Sequence, residues 1–129
     1  MATNENLQEA FAGESQANRK YLAFAKKAEA DGLPQIAKLF RAAAEAETIH
    51  AHAHLRVLGG IKTTAENLEE AVAGEAFEFQ KMYPEFLAAA QDEGNKPAEF
   101  SIKNALAVEE IHHGLYSKAL EAVQANSDL

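Results

Sequence analysis

Four stretches of the chain repeat an apolar residue every three or four positions, the spacing that gathers side chains on one face of an α-helix. The first stripe runs Leu7, Phe11, Glu14, Tyr21, Phe24, Ala28, and the second Ile36, Leu39, Phe40, Ala43, Glu47, His50, His54, Val57. The third runs Leu68, Val72, Glu75, Glu78, Phe79, Met82, Phe86, and the fourth Ile102, Ala105, Glu109, His112, Tyr116, Ala119, Val123. Glycine and proline fall between them, at Asp31-Gly32-Leu33-Pro34, Gly59-Gly60 and Glu93-Gly94-Asn95-Lys96-Pro97. Glycine suits the position just past a helix and proline the first turn of the next. The pattern predicts helices over roughly 4–31, 34–58, 64–93 and 97–126, with Thr63 and Glu66 spaced as a capping box for the third. No strand-like alternation occurs, all four segments are rich in strong helix formers, and short loops join them. The expected fold is an all-α four-helix bundle in one domain, 1–129.

Ionisable residues break every stripe near its middle. A bare carboxylate in an apolar core costs several kcal/mol or stays protonated. Five glutamates and two histidines in such places make sense if they converge on cations. Glu47-Thr48-Ile49-His50 and Glu109-Glu110-Ile111-His112 are both E-x-x-H, an i,i+3 pair on one helical face, and Glu75-Ala76-Phe77-Glu78 has the same spacing with a second carboxylate. One E-x-x-H alone is a weak signal, since such pairs abound on solvated helix faces. Two copies on the apolar stripes of their own helices, matched by glutamates on the other two, mark a metal site. Carboxylate and imidazole without thiolate suit iron or manganese, and two divalent ions bring a charge of about +4 to balance five glutamates. His52 and His113 point off the stripes toward the surface. His54, one turn beyond His50, is read as a neighbour or filler and not a ligand.

The two halves repeat. Gly13-Glu14 and Gly74-Glu75 open them, a tyrosine follows at +7 (Tyr21) and +8 (Tyr83), and the E-x-x-H glutamate follows at +33 (Glu47) and +34 (Glu109). They are related αα-hairpins with one extra residue in the second, just ahead of Pro84, which predicts a π-bulge or kink in the third helix.

Composition narrows the function. With 20 acidic against 12 basic residues the net charge is −8, which argues against nucleic-acid binding. The chain has no cysteine, so disulfides, zinc–thiolate sites and iron–sulfur ligation within it are excluded. The polar N-terminus and the lack of an apolar run of about 18 residues predict no signal peptide and no membrane span, and the cytoplasm as address.

Gly-Glu-Ser-Gln-Ala at 13–17, the two E-x-x-H pairs, Gly-Glu-x-x-Glu at 74–78, Met82-Tyr83-Pro84 and Thr64-Ala65-Glu66-Asn67-Leu68 together resemble the rubrerythrin family over essentially the whole chain. The resemblance implies a ferritin-like bundle with a non-haem di-iron site. It implies one iron held by Glu14, Glu47, Glu109 and either His50 (reduced) or Glu78 (oxidised). The other would be held by Glu47, Glu75, Glu109 and His112, with Glu47 and Glu109 bridging. It also implies reduction of hydrogen peroxide, with Tyr21 and Tyr83 close to the cluster as hydrogen-bonding neighbours or as ordinary packing. Glu78, His50, Tyr21 and Tyr83 are the expected catalytic set.

Two departures follow. Typical members carry a rubredoxin domain with four cysteines; this sequence has none, so a separate electron donor such as a rubredoxin is expected. A ferritin-like bundle also runs helices two and three parallel. The return from ligand level and back spans roughly 30 Å at 1.5 Å per residue. Residues 59–64 reach at most about 24 Å. A domain-swapped homodimer is expected, each site built from helices one and two of one chain and three and four of another. The alternatives to a peroxidase are a ferroxidase or iron-handling protein, manganese catalase chemistry, and a metal-free helical interaction module.

Overall fold

A computed structural model describes residues 2–129. They form helices α1 (Ala2–Ala30), α2 (Pro34–Val57), α3 (Thr64–Phe77), a π-helical segment (Glu78–Met82), α4 (Tyr83–Asp92) and α5 (Lys96–Gln124). The chain divides into two compact units, one ending at Ile61 and one beginning at Lys62. Each is a helical hairpin, and the fold is all-α, as expected of the parts of a ferritin-like four-helix bundle. No helix is long and apolar enough to cross a membrane.

In the first hairpin, positions further along α1 meet positions earlier in α2, from Glu14 with His50 through Asn18 with Ala44 to Tyr21 with Phe40, and near the turn Glu29 meets Arg41. The helices are therefore antiparallel. Their seam is built of alanine. Ala25, Ala28, Ala37, Ala44 and Ala51 are buried, with Phe40 packed at one end and rings of Tyr21 and Phe24 against it. The turn between α1 and α2 ends on Gly32 at φ +77°, a left-handed conformation that residues with a side chain rarely adopt, while the Leu33 N–H returns to the Ala28 carbonyl. Pro34 starts α2, and Leu33 before it offers no side-chain cap.

The second hairpin sets α3, the π segment and α4 antiparallel to α5. Pairs such as Glu75 with His112, Phe79 with His113 and Gln91 with Glu99 define the register. The third predicted helix is thus three elements in one continuous rod. At the π segment the Tyr83 N–H reaches back five residues to the Glu78 carbonyl. Pro84 accounts for it: proline has no N–H for the residue four before it, and its ring crowds that carbonyl, so the turn widens. The extra residue read from the repeat lies here. Thr63 caps α3 by accepting from the Glu66 N–H at 3.2 Å. Glu66 does not complete the box; its carboxylate accepts from the Thr63 hydroxyl at 2.8 Å instead of reaching the backbone.

The stripes are less buried than their periodicity suggests. Phe24, Ile36, Leu39, Val57, Phe86 and Tyr116 are exposed, and no large side chain among the described residues is fully buried. Ile49 and Ile111, in matching places of the two E-x-x-H pairs, are 60% and 61% exposed. A two-helix hairpin has one seam, and each helix turns only part of its apolar surface into it.

Candidate metal centre

Each hairpin gathers one half of the expected ligand set. In the first, α1 supplies Glu14 and α2 supplies Glu47 and His50; in the second, α3 supplies Glu75 and α5 supplies Glu109 and His112. Within each trio one donor atom per residue lies within 4.8 Å of the others. The E-x-x-H spacing aims glutamate and histidine the same way, and the antiparallel register brings the opposite glutamate to them.

The contacts repeat. His50 Nδ1 lies 3.3 Å from Glu14 Oε2 and 4.0 Å from Glu47 Oε2. His112 Nδ1 lies 3.7 Å from Glu75 Oε1. In both halves the same ring nitrogen faces the glutamate on the first helix of its hairpin. Glu14 and Glu47 are half-buried and His50 is exposed, while Glu75, Glu109 and His112 are all half-buried.

A test of fit comes from the second trio. Glu75 Oε2 and Glu109 Oε2 are buried without any hydrogen-bond partner. A buried carboxylate oxygen without a donor is costly. A divalent cation held by both would satisfy them, and the oxygen-rich set with one imidazole per half suits iron or manganese. The residues present therefore fit a metal centre.

Glu78 is outside both trios and opens the π segment. What the structure shows of the two tyrosines is aromatic packing. Tyr21 lies against Phe24 and Phe40, with centroids 6.3 and 6.1 Å away, and Tyr83 against Phe86 at 6.2 Å. His52 is exposed and His54 half-buried, as expected. His113 is not a free surface residue: it is half-buried, its ring edge-on to Phe79 at 5.2 Å. Phe79 lies within the widened turn.

One polar residue was not singled out by the sequence reading. Asn18 is buried in the α1–α2 seam, and its amide donates to the Ala44 carbonyl and to Thr48 Oγ1, both at 2.8 Å. The signal was its place on the first stripe, one turn after Glu14.

Comparison with known proteins agrees with this geometry. The sequence profile of the rubrerythrin family matches residues 5–120. Rubrerythrin-2 of Clostridium acetobutylicum is 34% identical over 141 aligned positions, covering 98% of this chain and 77% of that protein. Nigerythrin of Nitratidesulfovibrio vulgaris is 36% identical over 141 positions, covering 98% and 70%. The aligned length exceeds the chain's own 129 residues, so both relatives carry residues inside the matched region that this chain lacks. Among solved structures, nigerythrin in its fully reduced, all-ferrous state is 36% identical, with a TM-score of 0.50 over 95% of this chain and 68% of that one. The chain belongs to the rubrerythrin family.

Proposed function

We propose that this protein is a non-haem di-iron peroxidase: hydrogen peroxide, two electrons and two protons become two waters. The observation that carries the reading is the pair of matching Glu/Glu/His trios, one per hairpin, with buried carboxylate oxygens in need of a cation. Iron in the all-ferrous nigerythrin structure supports iron over manganese.

In this reading Glu14, Glu47 and Glu109 would hold one iron, and Glu47, Glu75, Glu109 and His112 the other. His50 in the reduced state, or Glu78 in the oxidised state, would complete the set on the first iron. His50 suits the ferrous state because it is neutral when it ligates, and Glu78 the ferric state because it adds a negative charge. When bound, the two ferrous ions supply both electrons to the O–O bond. The one of His50 and Glu78 that is released is free to hold a proton beside the peroxide. Tyr21 and Tyr83 flank the site. The 129 residues contain no cysteine, so in this reading the electrons come from a centre outside them, such as a rubredoxin.

The complete centre takes the first trio from one chain and the second from a partner chain, in a domain-swapped homodimer. The connection from Val57 to Thr64 supports this, being too short for a return along the bundle. The exposed apolar residues of each hairpin, Ile49 and Ile111 among them, supply the surface for such packing.

The test is stopped-flow absorbance of the anaerobically reduced, iron-loaded protein mixed with peroxide or with air-saturated buffer, after metal analysis. Two irons per chain and oxidation by peroxide far faster than by dioxygen are expected. Faster oxidation by dioxygen would replace the reading with a ferroxidase. Absence of bound metal would end both.

A further inference from the structure

We propose that Asn18 is a positioning residue of the metal centre, a clasp that fixes the register of α1 on α2 at ligand height. The inference rests on the metal-binding reading above. Among the described residues Asn18 is the buried polar side chain, 8% exposed. Its Nδ2 donates to the Ala44 carbonyl and to Thr48 Oγ1, each at 2.8 Å, and the Thr48 hydroxyl donates to the same carbonyl at 3.2 Å. On the other side Asn18 Oδ1 accepts from Arg19 Nε at 2.8 Å, which aims the amide's donors at α2.

The position of these bonds decides their meaning. Asn18 stands one turn after Glu14, and Ala44 and Thr48 bracket Glu47. The rest of the buried seam is alanine methyl groups with the Phe40 ring at one end, which resist separation but define register poorly, because hydrophobic burial has no direction. A slip of one residue moves a helix by about 1.5 Å and turns it by about 100°. That would carry Glu14 away from Glu47 and His50. The two directed bonds from Asn18 oppose the slip at ligand height, as the exposed Arg41–Glu29 pair does nearer the turn. In the second hairpin the repeat places Phe79 opposite Asn18, and Phe79 packs on His113 instead. The clasp therefore belongs to the first half alone.

A residue that only stabilised the hairpin would lower the unfolding midpoint and leave metal affinity alone. A positioning residue moves the affinity and the optical spectrum. The experiment titrates the full chain anaerobically with Fe²⁺, records the spectrum after oxidation, and follows urea unfolding of the metal-free protein. Asn18→Leu, Thr48→Val, Thr48→Ser and the double variant N18L/T48V are compared with the parent. Asn18→Leu is expected to weaken Fe²⁺ binding about tenfold, in the range for groups that orient ligands without touching the metal. Thr48→Val is expected to weaken it less, Thr48→Ser to restore the parent affinity, and the double variant to fall less than the sum, since both changes remove one bond. Unchanged affinity and spectrum in a folded Asn18→Leu would overturn the proposal. If that variant fails to fold, equal affinity in Thr48→Val and Thr48→Ser would overturn it. A parent that binds no iron removes the metal reading itself, whereas an iron-binding parent with indifferent variants removes only the clasp.

Discussion

The two hairpins carry the same ligand pattern on different scaffolds. The first is two regular α-helices sealed by five alanines and held in register by Asn18, and its seven basic residues balance seven acidic ones up to Ile61. The second contains a π segment, buries Ala90 alone, and from Lys62 on has thirteen acidic residues against five basic. The whole net charge of −8 thus sits on the second half, with the two carboxylate oxygens that lack partners. On the proposed reading the first half holds its ligands before a cation arrives and the second is completed by one; the extra carboxylate of the second, Glu78, stands at the irregular turn where the backbone departs from the α-helix.

The largest expected effect tests whether the two trios serve one centre. Glu47→Ala and Glu109→Ala each remove a bridging ligand if the centre is shared. Either change should then abolish binding of both irons, a loss beyond the roughly 10- to 100-fold that outer positions cause. If each hairpin were a separate site, Glu109→Ala would leave one iron bound in the first. Metal content after gel filtration, together with an anaerobic Fe²⁺ titration, separates the two.

Much of this was legible in the sequence because the candidate ligands violate hydrophobic periodicity. Glu14, Glu47, His50, Glu75, Glu109 and His112 stand where apolar residues belong, and the structure gathers all six into trios. The π segment was legible for a related reason: the repeat runs one residue longer between Glu75 and Tyr83 than between Glu14 and Tyr21. Asn18 was missed because a lone asparagine on a helix reads as solvated, although the first stripe skips a turn between Glu14 and Tyr21 where it fits. The alanine seam was missed because large side chains mark a stripe more loudly than methyl groups. Helices pack closest where residues are smallest, so Leu39 and Ile49 stay exposed while Ala37 and Ala44 are buried.

Metal removal gives the next effect. A cation that binds only the folded state stabilises it by mass action, about 2.7 kcal/mol at 100 times its Kd. Relief of carboxylate repulsion should concentrate that gain in the second hairpin. Amide hydrogen exchange of metal-free and iron-loaded protein is expected to show larger slowing over Thr64–Asp92 and Lys96–Gln124 than over Ala2–Ala30 and Pro34–Val57. Equal slowing in both halves would mean that the charge asymmetry has no energetic consequence.

Helix capping differs between the halves by a smaller amount. Asn95 caps α5 by accepting from the Ala98 N–H at 3.1 Å, and Thr63 caps α3, whereas Leu33 gives α2 nothing. Asn95→Ala and Thr63→Ala should each lower stability by about 1 kcal/mol, and Leu33→Asp should raise it by up to about the same, in urea unfolding. A loss on Leu33→Asp would show that the leucine has a packing role that outweighs the missing cap.

The smallest effect is electrostatic and belongs to the second hairpin. In the first turn of α5 the Glu99 carboxylate lies 3.0 Å from Lys103 Nζ and 3.5 Å from Lys96 Nζ. The Lys103 hydrogen bond, chiefly, holds its carboxyl below the usual carboxylate range, partly offset by burial and assisted by Gln91 and Lys96. A carboxyl whose pKa is lowered on folding binds its proton less readily in the folded state. Its contribution to stability is therefore present above the unfolded-state pKa and disappears as the pH falls through the lowered value. Lys103→Met should bring a small drop in the urea midpoint at neutral pH, and parent and variant should converge once Glu99 is protonated. A gap that persists unchanged into acid would assign the effect to packing of the lysine stem along α5, not to its charge.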